Sequence, residues 1–222
     1  MKPWQLLAEA RTPEGNLMTL TCRGGEYLIL ADGKPLMGSK MKGSEEALAT
    51  LGCARARALE EPCVLVGGLG MGFTLRATLD TLPAQAKVVI AELMPAVVEW
   101  NRAELGELAG RPLSDKRVEV RVGDVAGVLR DNSGRFDAVL LDVDNGPIAF
   151  TQTANNSLYS NEGLTIARAA LKPRGVLAVW SAWGDRKFEH RLRYLGFEVE
   201  THNVRARLRE GGPRHVIFVG SL

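Results

Sequence analysis

Between residue 62 and about Leu195, short apolar runs that read as strands alternate with segments that read as helices. The strand candidates are Cys63–Val66, Lys87–Glu92, Val118–Val122, Phe136–Asp142 and Val176–Ser181. Helices are expected between and after them at Phe73–Leu82, Pro95–Leu108, Val125–Arg130, Asn161–Leu171 and Arg186–Leu195. A strand that is apolar along its length suits a parallel sheet with helices on both faces, because neither side of it meets water. The alternation therefore points to an α/β fold with a doubly wound, mostly parallel sheet. Pro95 at a helix start and Lys172-Pro173-Arg174-Gly175 after a helix mark two boundaries.

Both ends depart from this pattern. Phe197–Thr201 and His215–Val219 read as strands with no helix between them, so they are expected to form a C-terminal antiparallel pair. Near the start, Leu17–Cys22 and Tyr27–Leu30 flank a Gly24-Gly25 turn, and Asp32-Gly33 offers a second turn before Leu36-Met37. Residues 1–42 are read as a small N-terminal β segment, a hairpin or meander, ahead of a main domain over 43–222. A helical pattern runs from Ser44 to Glu60, with Ser44 as its N-cap and Glu45 and Glu46 suited to the dipole of the first turn.

Composition narrows the partners. The 222 residues carry 28 basic and 26 acidic side chains, a net charge of +2. That balance argues against a surface built for nucleic acid or anionic lipid. The alternation Val204–Arg209 puts arginines on one face, best read as a solvated one. No apolar run approaches the length of a membrane span or a secretory signal, so a cytoplasmic location is the default. Cys22, Cys53 and Cys63 are scattered and odd in number, as free thiols are. His190, His202 and His215 are too dispersed for a metal motif, and no metal is expected. A homo-oligomer is left open.

The strongest local signal is Val64–Gly72, where Gly67, Gly68, Gly70 and Gly72 follow a strand and open a helix. Glycines let the backbone turn sharply and approach a ligand, and the helix N-terminus offers free N–H groups. Glu92 ends the next strand twenty positions after Gly72, where a carboxylate can accept from both hydroxyls of a ribose. Asp124 follows the third strand and can meet an adenine amino group, although a helix N-cap is the plainer use of an Asp there. Three such features at the carboxyl ends of successive strands indicate nucleoside binding. The loop spells Gly-x-Gly-x-Gly rather than Gly-x-Gly-x-x-Gly, which disfavours a nicotinamide-dependent oxidoreductase.

On these motifs, with Phe136–Asp142, Leu158-Tyr159-Ser160 and the final strand pair, the chain resembles class I methyltransferases, and more narrowly the spermidine synthase-like branch. The resemblance spans roughly residues 26 to 222. It implies S-adenosylmethionine or decarboxylated S-adenosylmethionine as cofactor, with Glu92 on the ribose, Asp124 on the adenine and Asp142 beside the transferring carbon. It also accounts for the N-terminal β segment. The chain departs from the family at three places. Spermidine synthases carry an Asp in the glycine loop that attracts the amine of the decarboxylated cofactor; this chain has Gly70. Their Asp-Ser-Ser-Asp-Pro pattern is replaced by Asp142-Val143-Asp144-Asn145-Gly146-Pro147. The region Met37–Ala49, where the family places a Tyr and a His, instead holds Lys40 and Lys42, unwelcoming to a polycation.

Asp142 and Asp144 are the candidates for positioning and deprotonating an acceptor amine. Asn145, Tyr159 and Trp180 are the substrate-side candidates, and Asn155 and Asn156 lie on a polar stretch near the site. The expected function is an adenosyl-sulfonium-dependent transferase moving a methyl or aminopropyl group to a small-molecule amine, with Gly70 inclining toward methyl transfer. A polyamine aminopropyltransferase is the alternative, and a non-catalytic nucleoside-binding or assembly module is the alternative of another class.

Overall fold

The structure, a computed structural model, describes residues 2–13, 15–143, 157–207 and 212–222. Strands β1 (Gln5–Arg11), β2 (Leu17–Arg23), β3 (Glu26–Ala31) and β4 (Lys34–Gly38) form an antiparallel four-stranded sheet in sequential order. After helix α1 (Gly43–Gly52) come β5 (Cys63–Gly67), α2 (Phe73–Thr81), β6 (Lys87–Glu92), α3 (Pro95–Arg102), β7 (Val118–Val122), α4 (Val125–Arg130) and β8 (Phe136–Leu141). They are followed by α5 (Asn161–Ala170), β9 (Leu171–Ser181), α6 (Arg186–Tyr194), β10 (Glu198–Arg205) and β11 (Arg214–Ser221). These later strands build a seven-stranded sheet in the order β10-β11-β9-β8-β5-β6-β7. Strands β5 to β9 run parallel, and β11 lies antiparallel between β9 and β10.

The two-residue period of a strand sorts the sheet's side chains into two cores. Val64, Val66, Ile90, Leu140, Ala178 and Ile217 face one side, packing with Leu48 of α1, Leu75 of α2, Val97 of α3 and Met18, Leu20 and Ile29 of the small sheet. Leu65, Val89, Val139, Leu177 and Phe218 face the other, against Leu129 of α4, Leu164 of α5 and Phe188 of α6. Helices thus cover both faces, and the small sheet shares the first core. The same parity puts Glu92, Asp142, Trp180 and His215, at the strand ends, on the side of α1 and the small sheet. The three cysteines are free, and burial pushes the Cys53 thiol up to about 12.

Four elements differ from the sequence reading. β1 is a strand the sequence leaves unread: it edges the small sheet and is broken by a register shift, while β4, the stretch expected after the second turn, tolerates Pro35 at the other edge because no neighbour needs its N–H. The helix expected through Glu60 ends at Gly52, and the one expected through Leu108 ends at Arg102, giving way to a 3₁₀ turn at Gly106–Ala109. Glycines at 52, 106 and 110 weaken helix continuation there. Lys172–Gly175 is a bulge within β9, not a boundary: Phe136 pairs with Leu171, but Ala138 already pairs with Val176. Lys172 anchors the bulge on Asp137 at 2.7 Å.

Candidate functional site

The carboxyl ends of β5, β6, β7, β8 and β9 and the start of β11 share one edge of the large sheet. There a cleft of about 470 Å³ opens, with Gly68, Glu92, Asp142 and Trp180 on one wall and Met18, Ile29 and Met37 of the small sheet opposite. Only two of the four loop glycines reach it. Gly68 (φ +90°) passes so close to the end of β8 that a Cβ would lie 2.3 Å from the Asp142 carbonyl oxygen. Gly70 (φ +50°) lies under Met37, whose methyl is 2.6 Å from where a Cβ would be. Gly67 is buried against Val125, and Gly72 (φ +83°) caps α2; neither lines the cleft, so their role is in the turn and its packing. Asn101 fixes the loop by donating to the Gly70 carbonyl at 2.8 Å.

Glu92, 8% exposed, lines the cleft while accepting from the Leu69 N–H and the Met94 N–H, each at 2.8 Å. Both carboxylate oxygens thus accept from backbone N–H groups, which holds the acid in one orientation at the cleft. Asp124 sits on the exposed rim and is the N-cap of α4, its Oδ1 accepting from Ala126 at 3.0 Å. The N-cap and a contact with the base compete for the same carboxylate.

The other end of the cleft is acidic. Asp142 is half-buried, and Thr74 of α2 donates its hydroxyl to Asp142 Oδ2 at 2.5 Å. Burial raises the Asp142 carboxyl to about 6, with the Thr74 hydrogen bond pulling the other way. Glu45 in the first turn of α1 is 8% exposed, and its carboxyl is pushed well above the ordinary range by burial, then by Asp142 and Glu46, with Lys42 offsetting part. Ser44 is not the N-cap of α1; Lys42 occupies that position. Ser44 turns inward instead and shares a 2.8 Å hydrogen bond with His215 Nδ1. Burial lowers the imidazole, so it is neutral near pH 7. The Trp180 ring meets His215 edge-on at 4.6 Å, and its indole N–H has no acceptor among the described residues.

Several expected residues fall elsewhere. Tyr159 is 2% exposed and belongs to the opposite core, edge-on to Phe188; its hydroxyl donates to the Val143 carbonyl at 3.2 Å. It steadies the chain just past Asp142 rather than lining the cleft. Asp144, Asn145, Asn155 and Asn156 lie outside the described residues. Lys40 and Lys42 pair with Glu26 and Glu46 at 2.6 and 3.0 Å and do not line the cleft, so the expected repulsion of a polycation is not built there. The sequence reading missed Glu45 and His215 as site residues. For Glu45 the first-turn position gave a sufficient surface explanation. For His215 no local pattern existed; only the antiparallel course of β11 carries its start to the active edge. Among the described residues no group of three or more His, Cys, Asp or Glu is gathered to hold a metal ion, and no helix is long and apolar enough to cross a membrane.

Comparison with known proteins adds an independent line. The profile of the spermine/spermidine synthase domain matches residues 41–191. A polyamine aminopropyltransferase of Oceanobacillus iheyensis is 32% identical over 118 residues, 52% of this chain and 22% of that protein. One of Leptospira biflexa is 34% identical over 115 residues, 52% of this chain and 38% of that protein. Polyamine aminopropyltransferase 2 of Streptomyces coelicolor is 30% identical over 207 residues, 84% of this chain and 35% of that protein. The matches thus cover well under half the length of these relatives. Spermidine synthase from Thermotoga maritima superposes with a TM-score of 0.73 at 19% identity, covering 97% of this chain and 72% of that one, which establishes the likeness of fold.

Proposed function

Because this chain belongs to the spermine/spermidine synthase domain family, we propose that it transfers an aminopropyl group from decarboxylated S-adenosylmethionine to a small-molecule polyamine acceptor. One observation carries the choice of donor. The described residues lining the cleft include four carboxylates, Glu45, Glu92, Asp124 and Asp142, and neither Lys nor Arg. A cleft of that charge favours a sulfonium with an ammonium tail. Ordinary S-adenosylmethionine brings a carboxylate that finds no cation to meet it. Gly70 inclined the sequence reading toward methyl transfer because it removes one acid; Glu45, buried nearby, makes that removal less informative.

The residues fit the donor in parts. Gly68 and Gly70 give backbone-only walls, Glu92 is oriented for a ribose, and Asp142 stands at the acidic end. When bound, the donor supplies an activated carbon and a thioether leaving group. Asp142 holds the acceptor amine and takes its proton as the new N–C bond forms and the C–S bond breaks. A carboxyl raised to about 6 is a better base for that purpose than an ordinary one. Trp180 adds an aromatic wall to the cleft.

The test is titration calorimetry with the two donors, followed by product analysis with a panel of diamines. Decarboxylated S-adenosylmethionine is expected to bind about tenfold or more tightly than the ordinary form, as an electrostatic difference on the order of 1–4 kcal/mol implies. Aminopropylated product should appear with at least one diamine. Tighter binding of ordinary S-adenosylmethionine would overturn the donor assignment. In the same assay Glu92→Ala should weaken either donor by about 1.5–3 kcal/mol, the range for hydrogen bonds to a charged group. Unchanged affinity in the folded variant removes Glu92 from the ribose. A melting-temperature loss is also expected, because the N–H groups of Leu69 and Met94 lose their acceptor.

A further inference from the structure

Glu45 is an anomaly for a first-turn acid. It is 8% exposed, lines the cleft, and has no hydrogen-bond or ion-pair partner among the described residues. Buried carboxylates are ordinarily paired, because removing the charge from water is costly. Here the neighbouring base, Lys42, bonds Glu46 at 3.0 Å instead. What faces Glu45 across the cleft is another acid, Asp142. Such an arrangement is unfavourable in the empty protein and becomes favourable when a cation enters between the acids. Resting on the aminopropyl-transfer reading, we propose that Glu45 and Asp142 together form the receptor for a single alkylammonium group.

The chemistry of the surroundings supports a cation over a neutral hydrogen-bonding ligand. From α2 the group facing the pair is Thr74, whose hydroxyl already donates to Asp142. From β11 it is His215, bonded to Ser44 and held toward its neutral form by burial. From β10, Arg205 approaches α1 through its backbone carbonyl, near Gly43. On α1 itself, Glu46 adds negative charge and Lys42 offsets part of it. Burial raises both acids, and an ammonium entering between them favours their ionised forms, so it lowers their hold on protons. Two groups of the reaction carry that chemistry: the aminopropyl tail of the donor and the end of the acceptor diamine.

Three probes separate the sources: 5′-methylthioadenosine, a nucleoside without an ammonium; decarboxylated S-adenosylmethionine, a nucleoside with one; and 1,4-diaminobutane, an ammonium without a nucleoside. Glu45→Gln should weaken one ammonium-bearing probe about tenfold or more, and leave 5′-methylthioadenosine within about twofold. Loss on the donor assigns the receptor to its tail; loss on the diamine assigns it to the acceptor. No change on either, or equal loss on all three, overturns the proposal. A second measurement needs no variant. Calorimetry of the wild-type protein in buffers of different ionisation enthalpy should register proton release with the ammonium probe and none with 5′-methylthioadenosine. Absence of proton release at every pH between about 6 and 8 overturns the proposal as well. Failure of 5′-methylthioadenosine to bind counts against the functional reading, and the diamine still decides this one.

Discussion

Asp142→Asn is expected to lower turnover by about 10²–10⁴-fold while leaving the affinity for 5′-methylthioadenosine, which has no ammonium, within about threefold. The amide keeps the shape of the carboxylate and can still accept the Thr74 hydroxyl, a 2.5 Å bond in the native protein. It cannot accept a proton from an attacking amine, so a single-turnover rate reports the loss directly. Stability should move the opposite way. The Asp142 carboxyl titrates at about 6 in the folded protein, above its ordinary value of 3.8. The fold therefore binds this proton more tightly than the unfolded chain does. Its contribution is fully present below about pH 4 and is lost as pH rises through about 6. At pH 7.5 the ionised acid is a burden that the amide lacks. Thermal melts should therefore place Asp142→Asn at or above the wild type at pH 7.5, with the advantage shrinking toward pH 4. Full activity in the variant ends the case for Asp142 as base. A melt well below wild type at pH 7.5 shows instead that its carboxylate holds the fold.

Gly68→Ala should be among the most damaging single-methyl changes in the chain. The new Cβ would stand 2.3 Å from the Asp142 carbonyl oxygen, at a backbone φ of +90°. Left-handed strain and overpacking each cost about 1–3 kcal/mol, so a loss of about 2–6 kcal/mol is expected. For a chain of this size that is roughly 2–4 °C of melting temperature per kcal/mol. Because the colliding atom belongs to Asp142, relief of the clash should displace the Asp142 carboxylate, and on the proposed mechanism turnover should fall even where the protein stays folded. Gly134→Ala separates the two causes: its φ is +62°, and a Cβ there meets nothing within 4 Å. It should lose only the strain, about 1–2 kcal/mol, and keep its activity. Equal losses in the two variants would show that the contact with β8 contributes nothing.

The large sheet was legible because its central strands are buried on both faces, so apolar runs such as Val64–Val66 and Ala138–Leu141 stand out in one dimension. The final strand pair was legible for lack of an intervening helix. The edge strand β1 was not, since an exposed edge imposes no alternation on Gln5–Arg11. The gathering of Gly68, Gly70, Glu92 and Asp124 at one cleft was readable because one loop and two strand ends carry them, each with a fixed place in the chain. Tyr159 misled for a physical reason: an aromatic residue just before a helix serves equally as a pocket wall or as an anchor, and the sheet face decides which. Glu45 was misjudged because helix-dipole arguments consider only the helix, whereas this acid is governed by what α1 packs onto. Nothing short of the fold would reveal His215, which reaches the site only through the pairing of β11 with β9.

The 2.8 Å link between Ser44 and His215 joins residues 171 positions apart. During synthesis the glycine loop, Glu92, Thr74 and Asp142 can all come together before β11 exists, since the strands that carry them pair among themselves. The imidazole and its serine meet only once the chain has doubled back between β9 and β10. Closing so large a loop is entropically slow, and it must be compensated by the burial of Ile217 and Phe218 that accompanies it. A nascent chain can thus gather the glycine loop, Glu92 and Asp142 while the partner of Ser44 is still unmade, and β11 completes that corner of the cleft.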